Sequence, residues 1–67
     1  MRVTVNGNVR EIAAAAPTVA ELVREMGLEG KRIAVERNGE IVPKSGYDRT
    51  PLAEGDRLEI VGAVGGG

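Results

Sequence analysis

The groups best suited to chemistry lie at the end of the sequence. Three glycines precede a free carboxylate there: Gly65, Gly66 and Gly67. A terminal carboxylate is ionised at neutral pH and stays unreactive until another molecule activates it. The stretch 57–61 alternates polar and apolar residues as a strand does, and three small or apolar residues lead out of it: Gly62, Ala63 and Val64. The pattern predicts a strand followed by a flexible, glycine-rich tail (62–67), with Gly67 as the candidate reactive residue.

The rest of the sequence offers no catalytic group to use that carboxylate. It contains no Cys and no His, so the usual pairs of nucleophile and base cannot be assembled. The remaining side-chain ligands are scattered carboxylates, which predicts that no metal is bound. We therefore expect a protein that is not an enzyme, binds no cofactor of its own and is activated by other proteins.

The composition argues against several kinds of partner. Nine basic and ten acidic residues are mixed along the sequence for a net charge of −1, and no basic block exists that could neutralise a row of phosphates. Tyr47 is the only aromatic residue, which removes the stacking platform for single-stranded nucleic acid. The longest apolar run, 12–16, is too short to span a bilayer. The start of the sequence does not resemble a secretory signal, and cysteine is absent, so we expect a cytoplasmic protein.

The first elements that must position the tail are a predicted hairpin. Arg2–Val5 alternates as a half-buried strand does, and Asn6-Gly7 is the dipeptide most typical of a tight turn. The stretch 9–12 would be the return strand. A two-residue loop would place Ile12 on the core face and a three-residue loop would place Val9 there, and the sequence leaves both open.

A single helix is predicted after the connector 13–17. Thr18 and Glu21 have the spacing of a capping box, and Gly27 is placed to end the helix in a left-handed conformation. The apolar residues recur at helical spacing and predict one buried stripe: Val19, Leu22, Val23 and Met26.

The second half predicts another hairpin and a final strand. Its parts in order are a strand at Ile33–Arg37, a turn at Asn38-Gly39, a strand at Glu40–Val42, an irregular stretch at 44–51, a core residue at Leu52 and the strand at 57–61. One helix laid on one face of a mixed sheet buries both apolar surfaces. The sequence thus predicts an α+β domain over 1–61 and the tail over 62–67.

Four stretches in this order resemble the ubiquitin-like sulfur carriers of thiamin thiazole biosynthesis, the ThiS family. They are the opening strand with its Asn-Gly turn (3–7), the helix start (18–23), the second hairpin (35–43) and the last strand with the terminal glycines (54–61 and 64–67). The resemblance implies the β-grasp fold, a mixed sheet of four to five strands with one main helix packed on one face.

The resemblance also implies a reaction at Gly67 and a set of partners. A ThiF-type adenylyltransferase would use MgATP to convert the Gly67 carboxylate into an acyl-adenylate. A sulfur-transfer protein would supply the sulfur that makes a thiocarboxylate, and a ThiG-type thiazole synthase would take it. Glycines lack a Cβ and can enter narrow active sites, which is the role implied for 65–67. The stem at 62–64 would be recognised by the enzymes. An extended chain from Val61 to Gly67 reaches about 20 Å at roughly 3.4 Å per residue.

Three other functions fit parts of the same pattern. The small subunit of molybdopterin synthase resembles the chain in fold, glycine ending and thiocarboxylate chemistry. A ubiquitin-like modifier that is conjugated to proteins is a second alternative, and a plain β-grasp interaction module is a third. Within the domain, Tyr47 is interpreted as a packing residue, and the solvent-side residues Ala34 and Val61 are a hypothetical docking patch.

Overall fold

This computed structural model describes residues 1–62 of the chain. They contain five strands, one α-helix and one 3₁₀ helix. The elements in chain order are β1 (Arg2–Val5), β2 (Asn8–Glu11), α1 (Val19–Glu25), β3 (Ile33–Arg37), β4 (Glu40–Val42), the 3₁₀ helix (Lys44–Arg49) and β5 (Arg57–Gly62). The predicted α+β organisation with one main helix is confirmed.

The strands form one mixed sheet in the order β2-β1-β5-β3-β4. The last strand in sequence, β5, is therefore the central strand of the sheet. It runs parallel to β1 and antiparallel to β3, while β1–β2 and β3–β4 are antiparallel hairpins. The predicted tail thus follows directly from the strand that is paired on both sides.

Both hairpins turn at an Asn-Gly pair. Asn6 has a φ of 51° and Gly7 a φ of 83°, and the pairing of Val5 with Asn8 makes this a two-residue loop. Such a loop needs positive φ at both positions, which Asn and Gly tolerate. The loop settles the register that the sequence left open: Ile12 is 3% exposed and lies in the core, whereas Val9 is 66% exposed.

Helix α1 has the predicted ends. The Thr18 hydroxyl oxygen accepts a hydrogen bond from the Glu21 amide at 3.3 Å, which satisfies one of the free N–H groups of the first turn. At the other end Gly27 has a φ of 73°, and the Leu28 amide donates to the Val23 carbonyl at 2.9 Å. This is the bonding pattern of a Schellman motif.

The core lies between α1 and one face of the sheet. Three of the four predicted stripe residues are fully buried, and Met26 packs against them from a half-buried position. The sheet, the residue after β2 and the connector 43–56 complete the cluster, which contains Val3, Val5, Ile12, Val19, Leu22, Val23, Val35, Val42, Leu52, Leu58 and Ile60. The prediction that Leu52 anchors the core is confirmed.

The sequence predicted an irregular stretch at 44–51. This prediction was wrong for most of the stretch, because the 3₁₀ helix occupies Lys44–Arg49. The Gly46 amide donates to the Pro43 carbonyl at 2.8 Å, and the Thr50 hydroxyl donates to the Gly46 carbonyl at 2.7 Å. A 3₁₀ helix closes i→i+3 bonds in short runs, so it lacks the apolar spacing of 3.6 residues by which a longer helix is detected.

Candidate functional site

Only one of the predicted site residues lies within the part of the chain that the structure describes. Gly65, Gly66 and Gly67 lie outside the described residues, and so do Ala63 and Val64 of the predicted stem. Gly62 is described: it is the last residue of β5 and pairs with Ile33 of β3. The strand therefore includes one residue that the sequence analysis assigns to the tail, and the division of the chain at residue 61 stays a prediction.

Among the described residues 1–62, no feature requires glycine at position 62. A Cβ built there would meet nothing within 4 Å, and the φ of Gly62 is not in the positive range that favours glycine. Glycine in a strand costs stability because it has more freedom to lose and no side chain to pack. Glycine in a strand is often explained by a bulge, a bend or the close approach of a ligand or another backbone.

Strand β5 is held along both edges as far as Ile60. On one edge its register with β3 runs from Leu58 to Gly62. On the other edge β1 pairs with Arg57 and Leu58 only, and beyond them the side chain of Asn6 takes over. Its Oδ1 accepts from the Ile60 amide at 2.7 Å, and its Nδ2 donates to the Ile60 carbonyl at 3.0 Å.

The start of β5 is fixed by a buried carboxylate. Asp56 is 6% exposed. Its oxygens accept hydrogen bonds from Arg37 Nε at 2.7 Å, Asn38 Nδ2 at 3.0 Å and the Ala53 amide at 2.8 Å. Burial raises the pKa of the Asp56 carboxyl, but the bonds from Asn38, Ala53 and Arg37, with the positive charge of Arg37, outweigh it, so the pKa lies below its ordinary value.

The roles of Asn6 and Asp56 were not predicted from the sequence. The Asn-Gly dipeptides were used to place turns, and a turn signal does not reveal which distant backbone the side-chain amide will bond. Asp56 lies just before the strand predicted at 57–61, and Asp is rarely buried without partners, so the sequence did not mark it as a core residue. Its main partner, Arg37, is 19 residues away. The one available signal was that both Asn-Gly turns lie at strand ends.

An exposed apolar surface lies beside the end of β5. Val61 is 57% exposed and pairs with Ala34 of β3 on the sheet face opposite α1. Val9 and Ile41, the other large apolar residues that are exposed in 1–62, lie on the same face but on the two edge strands, at 66% and 65% exposure. Val61 is thus the exposed apolar side chain next to the predicted tail.

Two clefts flank the helix side of the molecule. One, of about 450 Å³, lies beside Gly62, with Met26, Leu28 and Ile33 among its apolar walls. The other, of about 350 Å³, lies between α1 and the 3₁₀ helix and includes Tyr47. The Tyr47 ring packs against the core, and burial raises the pKa of its hydroxyl. This agrees with the packing role predicted for that residue.

The described residues contain neither a metal-binding cluster nor a helix long and apolar enough to cross a membrane. No group of three or more His, Cys, Asp or Glu side chains within 1–62 is arranged to hold a metal ion. The single α-helix of this part is seven residues long, and no helix found there could cross a bilayer. The described residues form a small domain whose central strand ends at Gly62.

Solved structures with the same architecture place the chain in a class. A crystal structure of a thiamine biosynthesis protein (ThiS) from Geobacter metallireducens matches with a TM-score of 0.85 and 32% identity over 100% of both chains. An NMR structure of a thiamine biosynthesis protein from Geobacter metallireducens matches with a TM-score of 0.80 and 32% identity, covering 100% of this chain and 88% of that one. The fold is therefore the β-grasp, as the sequence motifs implied.

The sequence comparisons narrow that class to one family. The model of the ThiS family matches residues 3–67, and the chain therefore belongs to the ThiS family. The sulfur carrier protein ThiS of Bacillus subtilis is 44% identical over 50 residues, which is 75% of this chain and 76% of that protein.

Two longer proteins match over the whole chain. A thiazole synthase of Paramagnetospirillum magneticum is 46% identical over 67 residues, and a thiazole synthase of Magnetococcus marinus is 34% identical over 67 residues. The chain spans 20% of the length of each of these two relatives.

Proposed function

We propose that this chain is a sulfur carrier for thiamin biosynthesis and that the Gly67 carboxylate carries the sulfur. The observation that supports this most strongly is the match to the ThiS family over residues 3–67, which includes the terminal glycines. The similarity to the Bacillus subtilis sulfur carrier protein ThiS supports the same function. The proposal takes Gly67 to be the last residue of the working protein.

The proposed cycle begins with activation by another protein. A ThiF-type adenylyltransferase binds MgATP, and an oxygen of the Gly67 carboxylate attacks the α-phosphate so that pyrophosphate leaves. Sulfur that a sulfur-transfer protein supplies at the oxidation level of sulfide then attacks the acyl carbon and displaces AMP, which leaves a thiocarboxylate. A carboxylate needs this activation because it is an anion at neutral pH and a poor electrophile. The carrier acts as a cosubstrate, and the partners supply the catalytic groups.

The proposed acceptor of the sulfur is a thiazole synthase of the ThiG type. The support is that the chain matches part of two proteins named thiazole synthase over all of its 67 residues. A carrier that delivers to such an enzyme would work in the same compartment, and we propose the cytoplasm.

We further propose that the partners recognise the surface next to the tail. Gly62, Ala63 and Val64 would form the stem that enters the enzymes, and Val61 with Ala34 would be the apolar contact at its base. Gly62 supports this role because no contact or backbone angle within residues 1–62 requires a glycine there. Val61 supports it because it is 57% exposed at the end of the central strand.

The test is the intact mass of the chain after incubation with a ThiF-type adenylyltransferase, MgATP and a sulfur donor. We expect the mass gain of one sulfur replacing one oxygen, localised to Gly67 by fragmentation. Absence of the gain, with an adenylyltransferase shown to be active on its own carrier, would contradict the proposal. Copurification separates the alternatives, since a thiamin carrier should retain a thiazole synthase and not the large subunit of molybdopterin synthase.

A further inference from the structure

The side chain of Asn6 replaces a missing piece of strand. Strand β1 ends at Val5, and the Asn6 amide makes the last backbone bond from that side, to the Leu58 carbonyl at 2.9 Å. The chain then turns away, but the Asn6 carboxamide accepts from the Ile60 amide and donates to the Ile60 carbonyl. A carboxamide has the donor and acceptor of a peptide group, so β5 stays paired on this edge for two more residues.

This side chain acts close to the predicted tail. Ile60 lies two residues before Gly62, which is the last residue of β5 and the last one described. Beyond Ile60 the strand register continues with β3 only, through Val61 and Gly62. Asn6 therefore sets the last residue of β5 that is held on both edges.

Two independent requirements meet at Asn6. Its φ of 51° is accessible mainly to Asn, Asp and Gly. Bonding both groups of Ile60 needs a donor and an acceptor in one short side chain, which an ionised Asp and a Gly do not provide. Among the residues that suit the turn, only Asn does both.

The second Asn-Gly turn provides a matched control. Asn38 also has a φ of 51°, and its side chain also holds β5. Its Oδ1 accepts from the Arg57 amide at 2.9 Å, and its Nδ2 donates to Asp56 Oδ1 at 3.0 Å. These bonds lie at the start of the strand, away from Gly62. Both residues stabilise the sheet, but only Asn6 acts at the end from which residues 63–67 continue.

We propose that Asn6 is a positioning residue for the sulfur carrier reaction, and this inference rests on the proposed function. By holding Ile60 on the second edge, Asn6 orders the end of β5, from which the tail would enter the active site of the docked partner. Removal of the carboxamide should leave docking intact and loosen the end of β5, so that the tail is delivered to the active site less accurately. Small errors in the position of a reacting group lower the rate of the bound complex.

The experiment compares Asn6→Gly with Asn38→Gly in the 67-residue chain. Glycine keeps the positive φ of both turns, and each substitution removes two side-chain hydrogen bonds. We expect hydrogen exchange at the Ile60 amide to be faster by at least about tenfold in Asn6→Gly only, because that amide loses its acceptor. With a ThiF-type enzyme, Asn6→Gly should lower kcat for adenylation of Gly67 by about three- to tenfold, with KM within about twofold of the unsubstituted chain. Asn38→Gly should leave kcat within about twofold, although it also destabilises the fold.

Two results would overturn the positioning role while leaving the proposed function intact. One is a normal kcat for Asn6→Gly, and the other is an equal loss of kcat in both variants, which would show an effect of stability alone. Failure of the unsubstituted chain to be adenylated would instead overturn the proposed function, and the positioning role with it. If Asn6→Gly does not fold, Asn6→Asp replaces it, because that variant keeps an acceptor for the Ile60 amide and loses the donor to the carbonyl. A normal kcat for Asn6→Asp, or a loss of kcat equal to that of Asn38→Gly, would then overturn the positioning role.

Discussion

Arg37 and Asp56 form an ion pair in which Arg37 Nε lies 2.7 Å from Asp56 Oδ2, and the Asp56 side chain is only 7% exposed. Arg37 is the last residue of β3, and Asp56 directly precedes β5. The same carboxylate accepts hydrogen bonds from Asn38 and Ala53, so it ties one hairpin to the start of the central strand. The pair belongs to the folded domain that precedes the predicted tail. Its loss should therefore lower the free energy of unfolding.

Replacing Asp56 with Asn should destabilise the domain. We expect Asp56→Asn to lower the free energy of unfolding at pH 7 by about 2–3 kcal/mol, because the charge-assisted hydrogen bonds to a buried carboxylate are lost. Urea denaturation measures this change. Asp48→Asn, at an exposed residue, is the control and should change the free energy by no more than about 0.5 kcal/mol.

The same carboxyl group predicts an acid dependence. Its pKa is lower in the folded chain than the ordinary value of 3.8, so the unfolded chain takes up the proton first as pH falls. The contribution of Asp56 is therefore complete above the ordinary value and is lost as the pH falls through the folded-state pKa. The difference in unfolding free energy between the natural chain and Asp56→Asn should narrow as the pH is lowered from about 5 to about 2. A difference that stays constant over this range would contradict the assignment.

Replacing Gly62 with Ala should separate stability from function. The structure has open space for the added methyl group, and loss of glycine's freedom in the unfolded chain should stabilise the domain by about 0.4–1 kcal/mol. If a partner's backbone approaches this residue closely, sulfur transfer should fall even though the fold is stronger. Thermal unfolding and the rate of thiocarboxylate formation are measured on the same samples. A variant that is more stable and fully active would remove Gly62 from the recognition stem.

Replacing Val61 with Asp tests the proposed docking surface. We expect Val61→Asp to weaken binding to a thiazole synthase by at least about tenfold, since burying a charge against an apolar partner surface is unfavourable. Val9→Asp introduces the same charge on the same sheet face at a similarly exposed residue, but on the edge strand β2. Calorimetry should show nearly normal affinity for Val9→Asp. Equal affinities for the two variants would show that the surface beside the tail is not the contact.

Local sequence signals predicted most of the fold because the forces they report are local. Positive φ at Asn-Gly, the Thr18 cap and the left-handed Gly27 each act within a few residues, and all three were predicted. The register of β2 remained open, since one residue of loop length exchanges Val9 and Ile12 between faces. Pairing in the complete sheet buries Ile12 and settles the choice.

The features that hold the central strand could not be predicted in the same way. Asn6 bonds a residue 54 positions away, and Asp56 bonds Arg37 and Asn38 across 19 and 18 positions. Such contacts depend on the strand order, which the alternation within each strand does not specify. The candidate reactive residue was predicted for a different reason, because Gly67 is recognised from the glycines before it and not from packing.

The most direct test of the central claim adds one alanine after Gly67. If the reactive group is the Gly67 carboxylate, the extended chain should form no thiocarboxylate with the adenylyltransferase, MgATP and a sulfur donor. It should still unfold at the same temperature as the 67-residue chain. The 67-residue chain, treated in parallel, should be converted. Thiocarboxylate formation by the extended chain at a normal rate, with the alanine still attached, would contradict the account.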